Sequence, residues 1–433
     1  MSKVVSSIHK SKVQAAGLPK VGPAMSGESR LKRILFDGTE DSLLVKDVCL
    51  GLTNNQIIRC LTKYVYHAGR NSAYESIGRL TAESVLLQNQ ELISLEDLFL
   101  FCNTYRLRGL RREMTAFVEN AFQANKINIT GANDILKLMK ELGLNSVTEH
   151  DLFDQLIAIE RLKILHKTDE EKVEFLRAIG LCHSNHINDF KIVFEELLPR
   201  LPQLSPRNMT RLLMGWSQIK YINDEALYYA LEHVGDCNNG YSIKERAIAL
   251  KCLCTIASPQ DVLKLWNNIE QLFTKQKINN SKVSNDLLRA ISAIGLPMDQ
   301  ERMELLKRNV SHRPTEWIEN DVFDRVKQIT SSIGYSHKIR LRVHTEMAEI
   351  AFDYNDKSYA IVIDYPCTHR LGGYDDAPLC GSERIRNMIL RRAEFIVLRI
   401  PEEILFQNGI QKQLEDFIQS DPKPDTYVMT IVR

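Results

Sequence analysis

One spacing constrains this chain more than any other. A Ser or Thr that leads into an apolar helical run recurs at Thr53, Ser94, Thr130, Thr168, Ser205, Ser242 and Ser281, at gaps of 41, 36, 38, 37, 37 and 39 residues. Each can serve as an N-cap, because a hydroxyl oxygen accepts from an otherwise unpaired N–H of the first helical turn. Gln56, Glu171 and Glu245 stand three residues on, where a side chain can return the bond to the cap. Pro206 sits where a first turn tolerates proline. Between these starts lie second amphipathic runs over 110–122, 187–201, 223–234 and 259–273. A single helix pair cannot bury both of its faces, but stacked neighbours can. The spacing therefore predicts an α-solenoid of helix-pair repeats, about 38 residues each, over 37–330, right-handed and with a long concave surface.

Composition narrows the class. The 433 residues carry 56 Lys+Arg against 55 Asp+Glu, which excludes a whole-chain polybasic character but allows a local basic surface. No run is long and apolar enough for a membrane span. Nine cysteines, an odd number with no Cys-x-x-Cys, read as reduced and mostly buried thiols. Trp216, Trp266 and Trp317 read as core. Residues 1–36 stand apart as a basic, Ser-rich tail with Glu28 as the one acid before position 34. Such a tail is either a disordered basic arm or a mitochondrial presequence, although arginine is absent before Arg30.

Near Ser331 the periodicity changes from helical to strand-like. Residues 348–354 and 358–365 read as a hairpin turning at Asn355-Asp356. A Gly/Asp-rich loop (371–381), a basic helix (382–393), a buried strand (394–400), a helix (402–419) and a strand-like end (426–433) follow. With its turn at Asn355-Asp356, the hairpin pairs Tyr354 with Lys357 and Glu349 with Val362, and sets Asp364 diagonally beside Glu349. Lys338, Arg340 and Arg342 alternate along one edge, as a phosphate-contacting strand or as a solvated edge that resists pairing would.

The stretch 334–433 resembles a RAP domain, an RNA-binding module. The resemblance rests on the hairpin ending at Asp364, on Pro366 and His369, on the basic helix ending Leu390-Arg391-Arg392, and on the strand Phe395 to Pro401. Tyr365 stands where the family motif has glycine, and His369 lies one position late. The helical spacing is similar to that of octotricopeptide and heptatricopeptide repeats, and FAST-kinase-like proteins join such repeats to a RAP domain in this order. The resemblance implies a restriction-endonuclease-like α/β fold, single-stranded or ribosomal RNA as partner, and a place in mitochondrial RNA metabolism. The alternatives are a structural subunit of a mitochondrial ribosome, in contact with its proteins, and a protein-binding solenoid. The RNA-binding candidates are Lys338, Arg340, Arg342, Arg370, Arg384, Arg386, Arg391 and Arg392. Residues 334–433 are not basic overall, with 13 cations against 15 acids, so a helix face paired with its own acids competes with the RNA reading.

The likeness of RAP domains to PD-(D/E)XK nucleases adds a catalytic possibility. Glu349 and Asp364 could hold Mg²⁺, with His369 nearby, but the position of the nuclease lysine is Pro366. The reading therefore favours a fold retained without catalysis. The chain carries no Walker lysine loop, no Gly-x-Gly-x-x-Gly, no Gly-x-Ser-x-Gly and no His-Glu-x-x-His.

Overall fold

The structure, a computed structural model, describes residues 26–38, 41–68, 70–108, 110–129, 132–144, 150–182, 186–219, 221–275, 278, 280–310, 325, 327–329, 331, 337–343, 346–364, 379–401 and 409–420. The chain divides into two compact units, Met1–Ile93 and Ser94–Arg433. The sequence reading did not foresee a boundary at Ile93.

The first unit contains α1 (Gly27–Phe36), α2 (Ser42–Leu50), α3 (Asn54–His67), α4 (Arg70–Tyr74) and α5 (Ile77–Gln88). Residues 27–36 of the segment expected as a basic tail form α1. Ser26 caps α1, and Leu31, Ile34 and Leu35 are buried. An apolar stripe hidden among Arg30, Lys32 and Arg33 makes this segment helical. Thr53 and Gln56 form a reciprocal capping box at the start of α3. Burial pushes the Cys49 thiol up to about 12 and the Cys60 thiol up to about 11, so both are protonated at neutral pH.

In the second unit the helices run, in chain order, as α6 (Leu95–Leu107), α7 (Arg111–Gln123), α8 (Ala132–Leu144), α9 (His150–Ile164), α10 (Asp169–Leu181) and α11 (Ile187–Leu197). They continue as α12 (Pro206–Trp216) and α13 (Asp224–Gly235), α14 (Ile243–Ile256) and α15 (Pro259–Lys275), and α16 (Ser281–Ile294) and α17 (Gln300–Asn309). Thr168, Ser205 and Ser242 cap their helices as expected, and the Ser94 hydroxyl accepts from Asp97 N. Thr130 lies outside the described residues. The cap of α16 is Asn280, one residue before the expected Ser281; its carboxamide oxygen accepts from Lys282 N and Val283 N.

Alternate helices pack in a row, α8 on α10, α10 on α12, α12 on α14 and α14 on α16. Where α10 crosses α12, a β-carbon on Gly180 would overlap the carbonyl oxygen of Gly215. Trp216 and Trp266 are fully buried, as expected; Trp317 lies outside the described residues.

The C-terminal part of this unit is a four-stranded sheet in the order β1 (His337–Val343), β2 (Glu346–Tyr354), β3 (Lys357–Asp364), β4 (Phe395–Pro401). The first three strands are antiparallel, and β4 joins β3 in parallel. Tyr354 pairs with Lys357 and Ile350 with Ile361, the register expected from the turn. Asn355 and Asp356 both have positive φ, as a two-residue hairpin turn requires. Between β3 and β4 runs α18 (Gly381–Arg392), and α19 (Ile410–Gln419) follows β4. One sheet face, with Ile361, Ile363 and Leu398, packs on Ile410, Leu414 and Ile418 of α19. The other, with Ala360, Val362 and Val397, packs on Ile385, Ile389 and Leu390 of α18 and on Ala293 of α16. The strand expected over 426–433 lies outside the described residues.

The sheet, with α18 and α19, lies in the same compact unit as the helical row. The reason is α18, which packs on both α16 and α14. Among the described residues, no helix is long and apolar enough to cross a membrane.

Two substitutions test this core. Gly180→Ala should destabilise the second unit by about 1–3 kcal/mol or more, since a methyl group must push two helix backbones apart; urea denaturation reads it. Ile363→Asp should abolish the cooperative unfolding of the sheet, because it puts an unpaired charge in the fully buried central strand.

Candidate nucleic-acid interface

The helices of the row run parallel. Gly180 and Gly215, both near the C-terminal ends of their helices, meet each other. The Thr255 hydroxyl near the end of α14 donates to Ser217 O at the end of α12, 3.2 Å away. Cys254 Sγ in turn lies 3.9 Å from Ala290 O of α16. The first turns of α12, α14 and α16 consequently share the opposite edge, with neighbouring axes about 8–10 Å apart.

That edge carries a cation in each first turn. Arg207, Lys244 and Lys282 each stand two residues after the cap of their helix, at Ser205, Ser242 and Asn280. All three are exposed, and none has a salt bridge among the described residues. Their position matters electrostatically. The N-terminus of a helix carries partial positive charge, so a cation there is disfavoured by about 0.3–1 kcal/mol relative to an acid. Helix stability therefore does not account for a cation at the same place in three successive helices. The arrangement offers positive helix ends and exposed cations along one edge, which is what a chain of phosphates would meet.

Deeper along the same helices the cations are already matched. Arg211 bridges Glu170 and Glu174, each at 2.9 Å, and Arg177 reaches Glu174 at 3.3 Å. Burial lowers the affinity of the Arg177 guanidinium for its proton, and the acid beside it opposes that shift. Lys251 pairs with Asp286 at 2.5 Å, and Arg289 with Glu346 of β2 at 2.6 Å. These pairs link α10 to α12, α14 to α16 and α16 to the sheet; among the described cations of α12, α14 and α16, those of the first turns are the exposed ones without a salt bridge.

The cations predicted on α18 lie elsewhere. Arg384 is not on a free basic face, because its guanidinium donates to Ser217 O at 2.8 Å and Ile219 O at 3.3 Å, beyond the end of α12. Burial is what lowers its proton affinity. Arg386 is buried, 3.6 Å from Glu383. Glu383 also accepts from the buried Arg399 of β4 at 2.6 Å, and Arg399 reaches Asn387 as well. The Arg392 guanidinium lies against Gly295 at the C-terminal end of α16, an end that favours a cation. Arg391 is half-buried. The helix that carries four of the eight expected RNA-binding cations is thus largely the joint between the sheet and the row.

On β1, Lys338 pairs in register with Ala351 and Arg342 with Met347, and Arg340 lies between them on this edge strand. Glu349 lies in β2 and Asp364 at the end of β3, opposite Pro401. The pairing described for β2 and β3 ends at Ile350–Ile361, one step before Glu349–Val362. His369 and Arg370 fall outside the described residues. Among the described residues no group of His, Cys, Asp and Glu could hold a metal ion.

The sequence reading missed Arg207, Lys244 and Lys282. Their signal was present in it, as gaps of 37 and 38 residues at one offset from successive caps. No protein-family model matches the chain, and no curated protein matches it.

Arg384→Ala should cost about 1.5–3 kcal/mol of stability, the range for a lost charge-assisted hydrogen bond. Urea unfolding of the intact chain measures it. A neutral result would mean that the bonds to Ser217 and Ile219 contribute nothing to docking α18.

Proposed function

We propose that this protein is an RNA-binding α-solenoid of helix-pair repeats with a RAP-like C-terminal domain, acting in mitochondrial RNA metabolism. One observation carries the RNA reading: the line of unpaired cations at Arg207, Lys244 and Lys282, set against their helix dipoles. Single-stranded RNA suits such a line, since an extended strand can follow a row of helices and present its bases to them. The basic N-terminal composition and the RAP-like hairpin, Asn355 to Asp364, support the organellar assignment.

Filter binding of single-stranded RNA to the intact chain tests the reading. Binding should be saturable and fall with salt. The triple variant Arg207→Ala, Lys244→Ala, Lys282→Ala should bind more weakly, and its slope of log affinity against log salt should be shallower by about 2, at roughly 0.7 per phosphate contact on a single strand. Its stability should be unchanged or slightly higher, since three unfavourable dipole contacts are removed. Absence of saturable binding by the parent would sink the proposal.

A second reading, Mg²⁺-dependent RNA cleavage with Glu349 and Asp364 as metal ligands, needs the β2–β3 pairing to continue one step past Ile350–Ile361. It predicts that Asp364→Asn abolishes cleavage supported by Mg²⁺ or Mn²⁺ while leaving RNA binding in place.

A further inference from the structure

The first unit carries its own basic surface. Its helices α1 and α3 lie side by side and parallel. Cys60 Sγ donates to Glu28 O at 3.7 Å near the start of α1, and Phe36 at the end of α1 packs on Tyr64 and His67. Lys32 and Lys63 fall between these contacts and flank the Cys60 thiol. Burial raises that thiol, and the two ammonium groups oppose the shift.

The exposed side of α3 carries cations without acids. Arg59, Lys63 and Tyr66 are exposed at successive turns, with His67 exposed beside Tyr66. Arg59 and Lys63 stand about 6 Å apart along the helix axis. Neither has a salt bridge among the described residues. From Gly51 to Tyr74 the chain has no Asp or Glu. A solvated helix face ordinarily mixes signs, because acid–base pairs one turn apart stabilise it. The helix dipole accounts for His67 in the last turn of α3, but its effect is spent before Lys63 and Arg59. The acids on and beside α1 are taken: Glu28 holds Lys32 and Asp37 holds Arg33, each at 3.4 Å. Solvent-accessible pairs of this kind contribute little, so they do not bar the cations from a phosphate.

Rings sit where the cations end. Phe36 is 47% exposed and Tyr66 52%. The His67 ring lies 6.3 Å from Phe36 and 5.1 Å from Tyr66, so the three form one cluster at the C-terminal ends of α1 and α3. Exposed aromatic rings bind bases by stacking, and cations close by hold the phosphates that join the bases. An acidic peptide would use the cations and leave the rings idle. An apolar partner would bury Arg59 and Lys63 unpaired.

We infer that the C-terminal ends of α1 and α3 form a base-stacking site for single-stranded RNA. Phe36, Tyr66 and His67 meet the bases, and Lys32, Arg59 and Lys63 the phosphates. The inference rests on the RNA reading for the identity of its ligand. It adds a site in the other compact unit, one that selects for bases as well as phosphates.

The test measures, by fluorescence anisotropy on the intact chain, binding of a labelled oligouridine and of an abasic strand with the same number of phosphates. The parent should bind oligouridine at least roughly tenfold more tightly, the scale of one stacked base. The variant Phe36→Leu, Tyr66→Leu keeps apolar contacts and removes the rings; it should lose that preference while unfolding at a urea concentration close to the parent's. Tyr66→Leu alone, at an exposed position, should lose part of it and serves if the double variant does not fold. The variant Arg59→Ala, Lys63→Ala should bind both strands more weakly, with a slope of log affinity against log salt shallower by about 1.4, at roughly 0.7 per contact. An undiminished preference for bases in the ring variants would overturn the inference, and so would an unchanged salt slope in the cation variant. Equally tight binding of polyglutamate of the same charge would show an unselective basic surface and do the same. The triple variant Arg207→Ala, Lys244→Ala, Lys282→Ala separates the two sites. If it binds like the parent while the ring variant is impaired, the first-turn edge is wrong and this site stands. The reverse result overturns this site alone, and absence of binding by the parent overturns both.

Discussion

The second unit depends on how closely the backbones of α10 and α12 approach at Gly180 and Gly215. No side chain separates them there, and a β-carbon on either glycine would overlap the backbone of the other helix. That contact fixes the two helices in parallel with their C-terminal ends together. The later steps of the row keep the same sense with different chemistry. Thr255 reaches back to Ser217 O, and Lys251 pairs with Asp286 across α14 and α16. Because the C-terminal ends are held together, the first turns line up on the other edge, and Arg207, Lys244 and Lys282 come into one line. A packing constraint made of small residues thereby sets the geometry of the charged edge.

A row of stacked helices has an end, and the last helix would expose an apolar face if nothing covered it. Here α18 covers it, lying on α16 and α14 as a further helix of the row while its other side holds the sheet. The join is polar as well as apolar. Gly381 donates to Gln218 O at 3.1 Å, Ser382 N to the Gln218 carboxamide at 3.1 Å, and Arg289 to Ser382 O at 3.3 Å. Gly381 has no room for a side chain against Ser217 O. The sheet is thus the terminal layer of the helical row as much as a domain of its own.

The helix starts were legible because an N-cap is a local event, complete within four residues; Thr53, Thr168, Ser205 and Ser242 show it. At α16 the same logic missed by one residue, since Asn280 and Ser281 are both competent caps and sequence does not rank them. The hairpin register followed from a two-residue turn. What sequence hid was long-range. Arg384 looks like a ligand cation because its partners, Ser217 O and Ile219 O, are backbone carbonyls some 165 residues away, which no charge count includes. Arg246 is a second case, buried with its guanidinium on Val234 O and Asp236 O at the end of α13. The first-turn cations escaped notice for a different reason. Each is ordinary alone, and only their common offset from the caps, combined with the dipole they oppose, gives them meaning.

Among the described residues, exposed cations without a salt bridge stand at the first turns of α12, α14 and α16, and exposed acids without one stand on α13. The most direct measurement of the central claim is a crosslinking map of single-stranded RNA bound to the intact protein, resolved to the peptide by mass spectrometry. The account predicts crosslinks in the peptides that contain Arg207, Lys244 and Lys282, and none on the outer face of α13. Crosslinks confined to other surfaces, or their absence under saturating RNA, would contradict it.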